Sequence, residues 1–189
     1  MHNDTKIKVW DPVVRIFHWT LVTTFFIDYF TEEELLTVHV WAGYILLIIL
    51  GIRIIWGFMG TQHARFSDFV TSPSVAFQYL KDTVYLRAER YIGHNPIGGL
   101  MVIILLICVT LTGISGLMLY GADEHAGPLA GWFGSNSDYW EEILEEIHEV
   151  LANLSLFLVI IHIAGVVVES KIHNESLVRA MWDGYKKKS

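Results

Sequence analysis

Four histidines carry the chemistry this sequence offers. His148 and His162 stand fourteen residues apart in "IHEVLANLSLFLVIIHIAG", a run that is otherwise almost wholly apolar. His18 lies in "RIFHW" and His39 in "VHVWAGYILL". A neutral imidazole can bind a metal through one nitrogen while the other donates a hydrogen bond. Fourteen residues of helix rise about 21 Å, and at about 100° per residue the two rings point within about 40° of each other. One helix would therefore present two ligating rings on nearly the same face, at two levels.

The elements that must position these rings are membrane-spanning helices. The 189-residue chain, one domain by its length, is 53% hydrophobic, too apolar for an ordinary soluble domain. A span needs about 20 apolar residues in a helix. Four stretches meet that: residues 13–30, 35–59, 96–120 and 146–168. Arg15, His18 and Asp28 dilute the first, while the third carries no charged side chain. The expectation is an all-α, integral membrane four-helix bundle. The lone Cys108 reads as a small apolar residue within the third span. A single cysteine rules out a disulfide within the chain, and no CxxCH haem-attachment motif is present. The N-terminal stretch lacks a clean apolar region and a small-residue cleavage site, so it reads as a retained cytoplasmic tail.

Charge sets the orientation. Of the 13 Lys and Arg residues, Lys6, Lys8 and Arg15 lie in the N-terminal segment. Arg53, Arg65, Lys81, Arg87 and Arg90 lie at or between the second and third spans. Lys171, Arg179, Lys186, Lys187 and Lys188 follow the fourth. The two remaining connections hold none. Positive residues stay cytoplasmic, which puts both termini inside. The outer segments are acidic: Asp28, Glu32, Glu33, Glu34, Asp123, Glu124, Asp138, Glu141, Glu142, Glu145, Glu146 and Glu149. They form a solvated face or a docking surface for a basic partner, whose encounter rate the field would raise.

This topology pairs the histidines by depth. His18 rises from inside to the level of His162, and His39 descends from outside at the level of His148. A lone intramembrane histidine can simply bond a neighbouring helix. Four at matched depths on three helices are what two stacked metal–porphyrin sites need, each with two axial imidazoles in the bundle core. Structural zinc fits poorly, because the two levels stand about 20 Å apart and no cysteine or carboxylate cluster completes a tetrahedron.

Further residues fall around these levels. Arg15 and Arg53 are placed to pair with haem propionates, or to snorkel to the inner surface. Gly43, Gly51, Gly98, Gly99, Gly113 and Gly116 would let either a flat macrocycle or a neighbouring backbone come close. His94, in "GHNPIGG", is either a helix-start residue or the proton donor and acceptor of a quinone site. His2, His63, His125 and His173 read as tail or loop residues. Residues 72–91 read as an amphipathic cytoplasmic segment, with Ser72 as N-cap and Pro73 at the first helical position. Trp132, Tyr139 and Trp140 fit an interfacial aromatic belt.

Together "RIFHW", "VHVWAGYILL" with an arginine further on, "GHNPIGGLMV" and the fourth-span histidine pair resemble the bacterial cytochrome b561 family, which includes the cytochrome b subunits of nickel–iron hydrogenases. The resemblance covers nearly the whole chain. It implies four transmembrane helices, two non-covalent b-type haems and electron exchange with membrane quinone. Its ligand histidines fall on His18, His39, His148 and His162, and its GHNP motif on His94.

The expected function is electron transfer across the bacterial inner membrane, between quinone and a periplasmic c-type cytochrome or other redox protein. Two alternatives stand beside it. One is a superoxide:quinone oxidoreductase, against which the acidic outer face argues because it repels an anion. The other is a haem-containing anchor for a periplasmic redox subunit. The chain is thus an electron-transfer protein or a quinone-linked oxidoreductase. Lipid surrounds it, no nucleic acid is expected, and glycine faces would serve a homodimer or the bundle itself.

Overall fold

The computed structural model describes residues 6–31, 35–133 and 137–188. His2, Glu32, Glu33 and Glu34 lie outside the described residues, as does the side chain of Asp138. The chain is mostly helical. In order come β1 (Lys6–Lys8), α1 (Pro12–Thr31), α2 (Leu36–Met59), a 3-10 turn (Gln62–Ala64), α3 (Phe66–Phe69), α4 (Pro73–Val84), α5 (Pro96–Ala122), α6 (Ser137–Ile172), α7 (Leu177–Asp183) and β2 (Tyr185–Lys187).

Among the described residues, three helices are long and apolar enough to cross a membrane: Leu36–Met59, Pro96–Ala122 and Tyr139–Ile172. Their outward faces carry Ile48, Ile55, Ile107 and Phe157, all exposed. Lipid accepts such faces and water penalises them. α1 has 20 residues, enough length for a span. Its Arg15, His18, Asp28 and four threonines lower its apolar content, and it is not among the three.

Helix starts follow local chemistry. Asp11 stands before Pro12, and its Oδ1 accepts from the Val14 N–H at 3.0 Å. Asn95 stands before Pro96, and its Oδ1 accepts from the Gly98 N–H at 2.7 Å. Both are N-caps followed by proline, whose fixed φ suits the first helical position. α4 also begins with proline, but the Ser72 hydroxyl bonds the Ser74 hydroxyl instead of a helix N–H. α4 ends at Val84, short of the 72–91 segment read from sequence, because Leu86 turns to φ 56. α6 starts well before residue 146. Glu141, Glu142, Glu145 and Glu146 therefore ride on its early turns, where the helix dipole favours negative charge.

Contacts gather into two compact units. The first holds residues 1–19, 52–104 and 159–189, and the second residues 20–51 and 105–158. The first unit is centred on Val9, Trp10, Val14, Ala64 and Ala180. It also holds two strands that an all-α reading does not foresee: β1 pairs antiparallel with β2, Ile7 opposite Lys186. Strands of three residues, two of them lysine, are too short to signal a sheet. Gly184 makes the pairing reachable. At φ 89 it caps α7, and its carbonyl accepts from the Val9 and Trp10 N–H groups. A Cβ there would meet the Trp10 carbonyl at 2.8 Å. The second unit buries Leu46, Leu50, Leu106, Val109 and Leu144, and the fully buried Ser155 bonds Thr112 and Cys108 across α5 and α6.

Candidate functional site

The second unit brings His39 and His148 face to edge. Their ring centroids lie 6.1 Å apart with an 80° interplanar angle. His39, in the first turns of α2, donates from Nδ1 to the Asp28 carbonyl at 2.9 Å. His148, on α6, donates from Nδ1 to the Thr112 carbonyl at 3.0 Å, and the same nitrogen lies 3.1 Å from the Ser115 hydroxyl. A carbonyl can only accept, so each Nδ1 must carry the proton. Each Nε2 is then left with a free lone pair, the arrangement that metal-ligating histidines use. Two imidazoles flanking one iron at bonds of about 2 Å would place their centroids about 6 Å apart. The observed pair fits a bis-imidazole haem site.

The glycines sort into two kinds. A Cβ on Gly116 would stand 2.7 Å from His148 Cε1, so Gly116 clears space for that ring. Gly113 packs on Leu47, Gly98 on Asn95 and Gly99 on the Phe69 carbonyl. A Cβ on Gly43, one turn after His39, or on Gly51 would meet no protein atom within 4 Å. Gly43 therefore suits the approach of a flat ligand, whereas Gly98, Gly99 and Gly113 serve packing.

The first unit holds the other predicted residues. His18 and His162 lie within electrostatic range of each other. The His18 Nδ1 is buried with no hydrogen-bond partner, and its ring meets Trp19 edge-on at 5.1 Å. Arg15 donates from Nη2 to the Trp182 carbonyl, while its buried Nε has no partner. Arg53 is only 3% exposed, its guanidinium 5.0 Å from the centroid of the Phe66 ring, and its Nη1 is likewise unpartnered. Buried cationic N–H groups without acceptors suit an anion such as a propionate.

His94 lies between two rings, 4.7 Å from Trp10 and 4.5 Å from Phe69. Its Nδ1 is buried without a partner. Burial, with Arg53 and Lys186 adding positive charge nearby, pushes its pKa down to about 3. His94 is therefore neutral near pH 7, with a ring suited to hydrogen bonding. His63 pairs with Asp68 at 2.9 Å, His173 with Glu169 at 3.2 Å, and His125 bonds the Asp123 carbonyl.

Sequence reasoning passed over Thr112 and Ser115, the partners of His148, and Trp10 and Phe69, the partners of His94. Hydroxyl residues on a buried helix look like back-bonded filler, and Thr112 and Ser115 do also bond their own helix. The Asn95 cap was passed over as well: the sequence reading assigned the helix-start role to His94, one residue before it.

The profile of prokaryotic cytochrome b561 matches residues 9–184. A protein of Azotobacter vinelandii named a probable Ni/Fe-hydrogenase B-type cytochrome subunit is 27% identical, over 98% of this chain and 90% of its own length. One of the same name from Rhizobium leguminosarum bv. viciae is 26% identical over 95% of this chain and 88% of its own. No solved structure matches the chain. With a profile spanning nearly every element described above, including His18, His39, His148 and His162, the chain belongs to the prokaryotic cytochrome b561 family, membrane-embedded b-type cytochromes that carry electrons on haem b.

Proposed function

We propose that this protein is a di-haem electron carrier of the bacterial inner membrane, joining a periplasmic redox protein to the quinone pool. The observation that carries the reading is the His39–His148 pair: two rings 6.1 Å apart, each with its Nδ1 proton held by a backbone carbonyl. His39 and His148 would hold the outer haem, and His18 and His162 the inner one. α1 completes the four-span bundle in this reading. Haem supplies a one-electron couple, while the chain supplies ligation, orientation and field. The Asp28 and Thr112 carbonyls fix the tautomer and rotation of their rings. Arg15 and Arg53 offer N–H groups to inner-haem propionates. His94 offers a neutral ring nitrogen to quinone on the same side.

The pairing of β1 with β2 brings the two ends of the chain together, in keeping with termini on one side of the membrane. The positive charge concentrated near them favours the cytoplasmic side. The relatives' names point to a nickel–iron hydrogenase as the outer partner, docked against the acidic start of α6.

Haem per polypeptide tests the reading, measured by pyridine haemochrome on detergent-purified protein. Two b haems in the wild type, with one lost in each of His39→Ala and His148→Ala, are expected. One haem that neither variant affects would leave no outer site and overturn it.

A further inference from the structure

Building on the di-haem reading, we infer that the chain sets the His39–His148 site below the His18–His162 site in reduction potential, with Ser115 as a positioning residue for that difference. Electrons would then run downhill from the periplasmic side toward quinone.

Three features act in the same direction, the second being the nearest part of the third. The first is the hold on the ligand rings. His148 Nδ1 faces two acceptors, the Thr112 carbonyl at 3.0 Å and the Ser115 hydroxyl oxygen at 3.1 Å. The Ser115 hydroxyl spends its own proton on the Thr112 carbonyl at 2.9 Å, which leaves its oxygen free to accept. His39 Nδ1 has the Asp28 carbonyl. An imidazole that shares its Nδ1 proton is a more basic ligand at Nε2. A stronger donor favours the oxidised, more positive iron and so lowers the potential. In the first unit, the His18 Nδ1 meets no acceptor among the described residues.

The second feature is the pair of arginines. Arg15 and Arg53 sit in the first unit with buried N–H groups unpartnered. Positive charge close to a site favours the added electron and raises its potential.

The third is the charge distribution along the chain. By sequence, the first unit holds all 13 Lys and Arg residues against eight Asp and Glu. The second holds no Lys or Arg and twelve Asp and Glu. In a low-dielectric span such fields act over many ångströms. The second unit's field opposes the electron and the first unit's welcomes it.

The net change balances with the partners already named. Each electron oxidises the periplasmic donor by one equivalent. Two such electrons, with two protons taken from the cytoplasmic side, convert one quinone to quinol.

The test is a spectroscopic redox titration of the purified two-haem protein, read by optical difference spectra and by electron paramagnetic resonance. His39→Ala identifies the outer component as the one it removes. That component is expected to titrate at the lower potential. Ser115→Ala should raise it, by up to about tenfold in its redox equilibrium, about 59 mV for a one-electron couple. The other wave should stay in place. Ser155→Ala removes a buried hydroxyl from the same α5–α6 contact without touching His148, and should shift neither wave. The inference is overturned if the outer component titrates at or above the inner one, or if Ser115→Ala leaves it unmoved. A wild type with a single haem would instead overturn the di-haem reading, so the two failures are separable.

Discussion

Gly116 and His148 are built as a pair: a Cβ at position 116 would stand 2.7 Å from His148 Cε1, closer than packed side chains approach. The ring cannot retreat freely, because its Nδ1 is fixed by the Thr112 carbonyl and Ser115 on the same side of α5. Gly116→Ala should therefore displace the ring or break its hydrogen bond. Overpacking of this kind costs about 1–3 kcal/mol. On the proposed di-haem reading, the expected outcome is loss of about one haem of two, with the first-unit haem retained. Haemochrome counts together with the optical spectrum would check it, and full retention of both haems would show that the ring has room to spare.

Gly43→Ala should behave in the opposite way. No protein atom lies within 4 Å of a Cβ there, so the polypeptide itself has nothing to move. Replacing a mid-helix glycine with alanine stabilises a helix by about 1 kcal/mol. The haem-free protein should melt slightly higher, while haem at the His39–His148 site should fall. Circular dichroism melts of the haem-free form, compared with haem titration, separate the two effects.

Arg53 is buried to 3% exposure, with Nη1 unsatisfied. Arg53→Met keeps an apolar stem of similar reach and removes the buried charge. Such replacements are often neutral or stabilising for the fold alone. On the same proposed reading, haem retention in the first unit should nevertheless drop about 10–100-fold, the scale of losing a supporting partner of a metal site. Competition with apomyoglobin for haem would measure it.

Asp11 ties the start of α1 to α2 and to the turn after it. Its Oδ1 caps α1 and its Oδ2 accepts from Trp56 Nε1 at 3.1 Å and from the Thr61 hydroxyl at 2.6 Å. Burial pushes its pKa up, but the hydrogen bonds from Thr61, Val14 and Trp56 outweigh it and hold the carboxyl below its ordinary 3.8. The unfolded chain then takes up the proton first. The stabilisation is whole above about pH 4 and is lost as pH falls through the lowered folded value. Asp11→Asn would turn an N–H toward one of these donors and cost about 1–3 kcal/mol. The variant should melt lower than wild type at pH 6, and the gap should narrow as the pH drops below 4. A gap independent of pH would show that charge plays no part.

Some of this protein was readable because it depends on local composition. The apolar runs at 35–59, 96–120 and 146–168 are visible without any partner, since a span must be apolar along its own length, and each coincides with one of the three apolar helices. Where an element's character is mixed, as in α1, composition alone speaks less clearly. The ends of α4 and α6 shifted for a related reason. A left-handed residue at Leu86 and a helix dipole that accepts glutamates are settled by backbone geometry, not by hydropathy.

By itself, the sequence determined the apolar helices, the sorting of all 13 cations away from the acidic segments, and the fourteen-residue step from His148 to His162 that on one helix sets two rings about 21 Å apart. Each is a property of one segment at a time. Only the tertiary structure decided which acceptor holds each ring, that Gly116 serves His148 while Gly43 faces open space, that Trp10 and Phe69 flank His94, and that the two ends of the chain close as strands. Thr112 and His148, or Ile7 and Lys186, are partners only after separate segments have packed together. A hydrogen bond between such distant residues leaves no period in the sequence, so nothing local announces it.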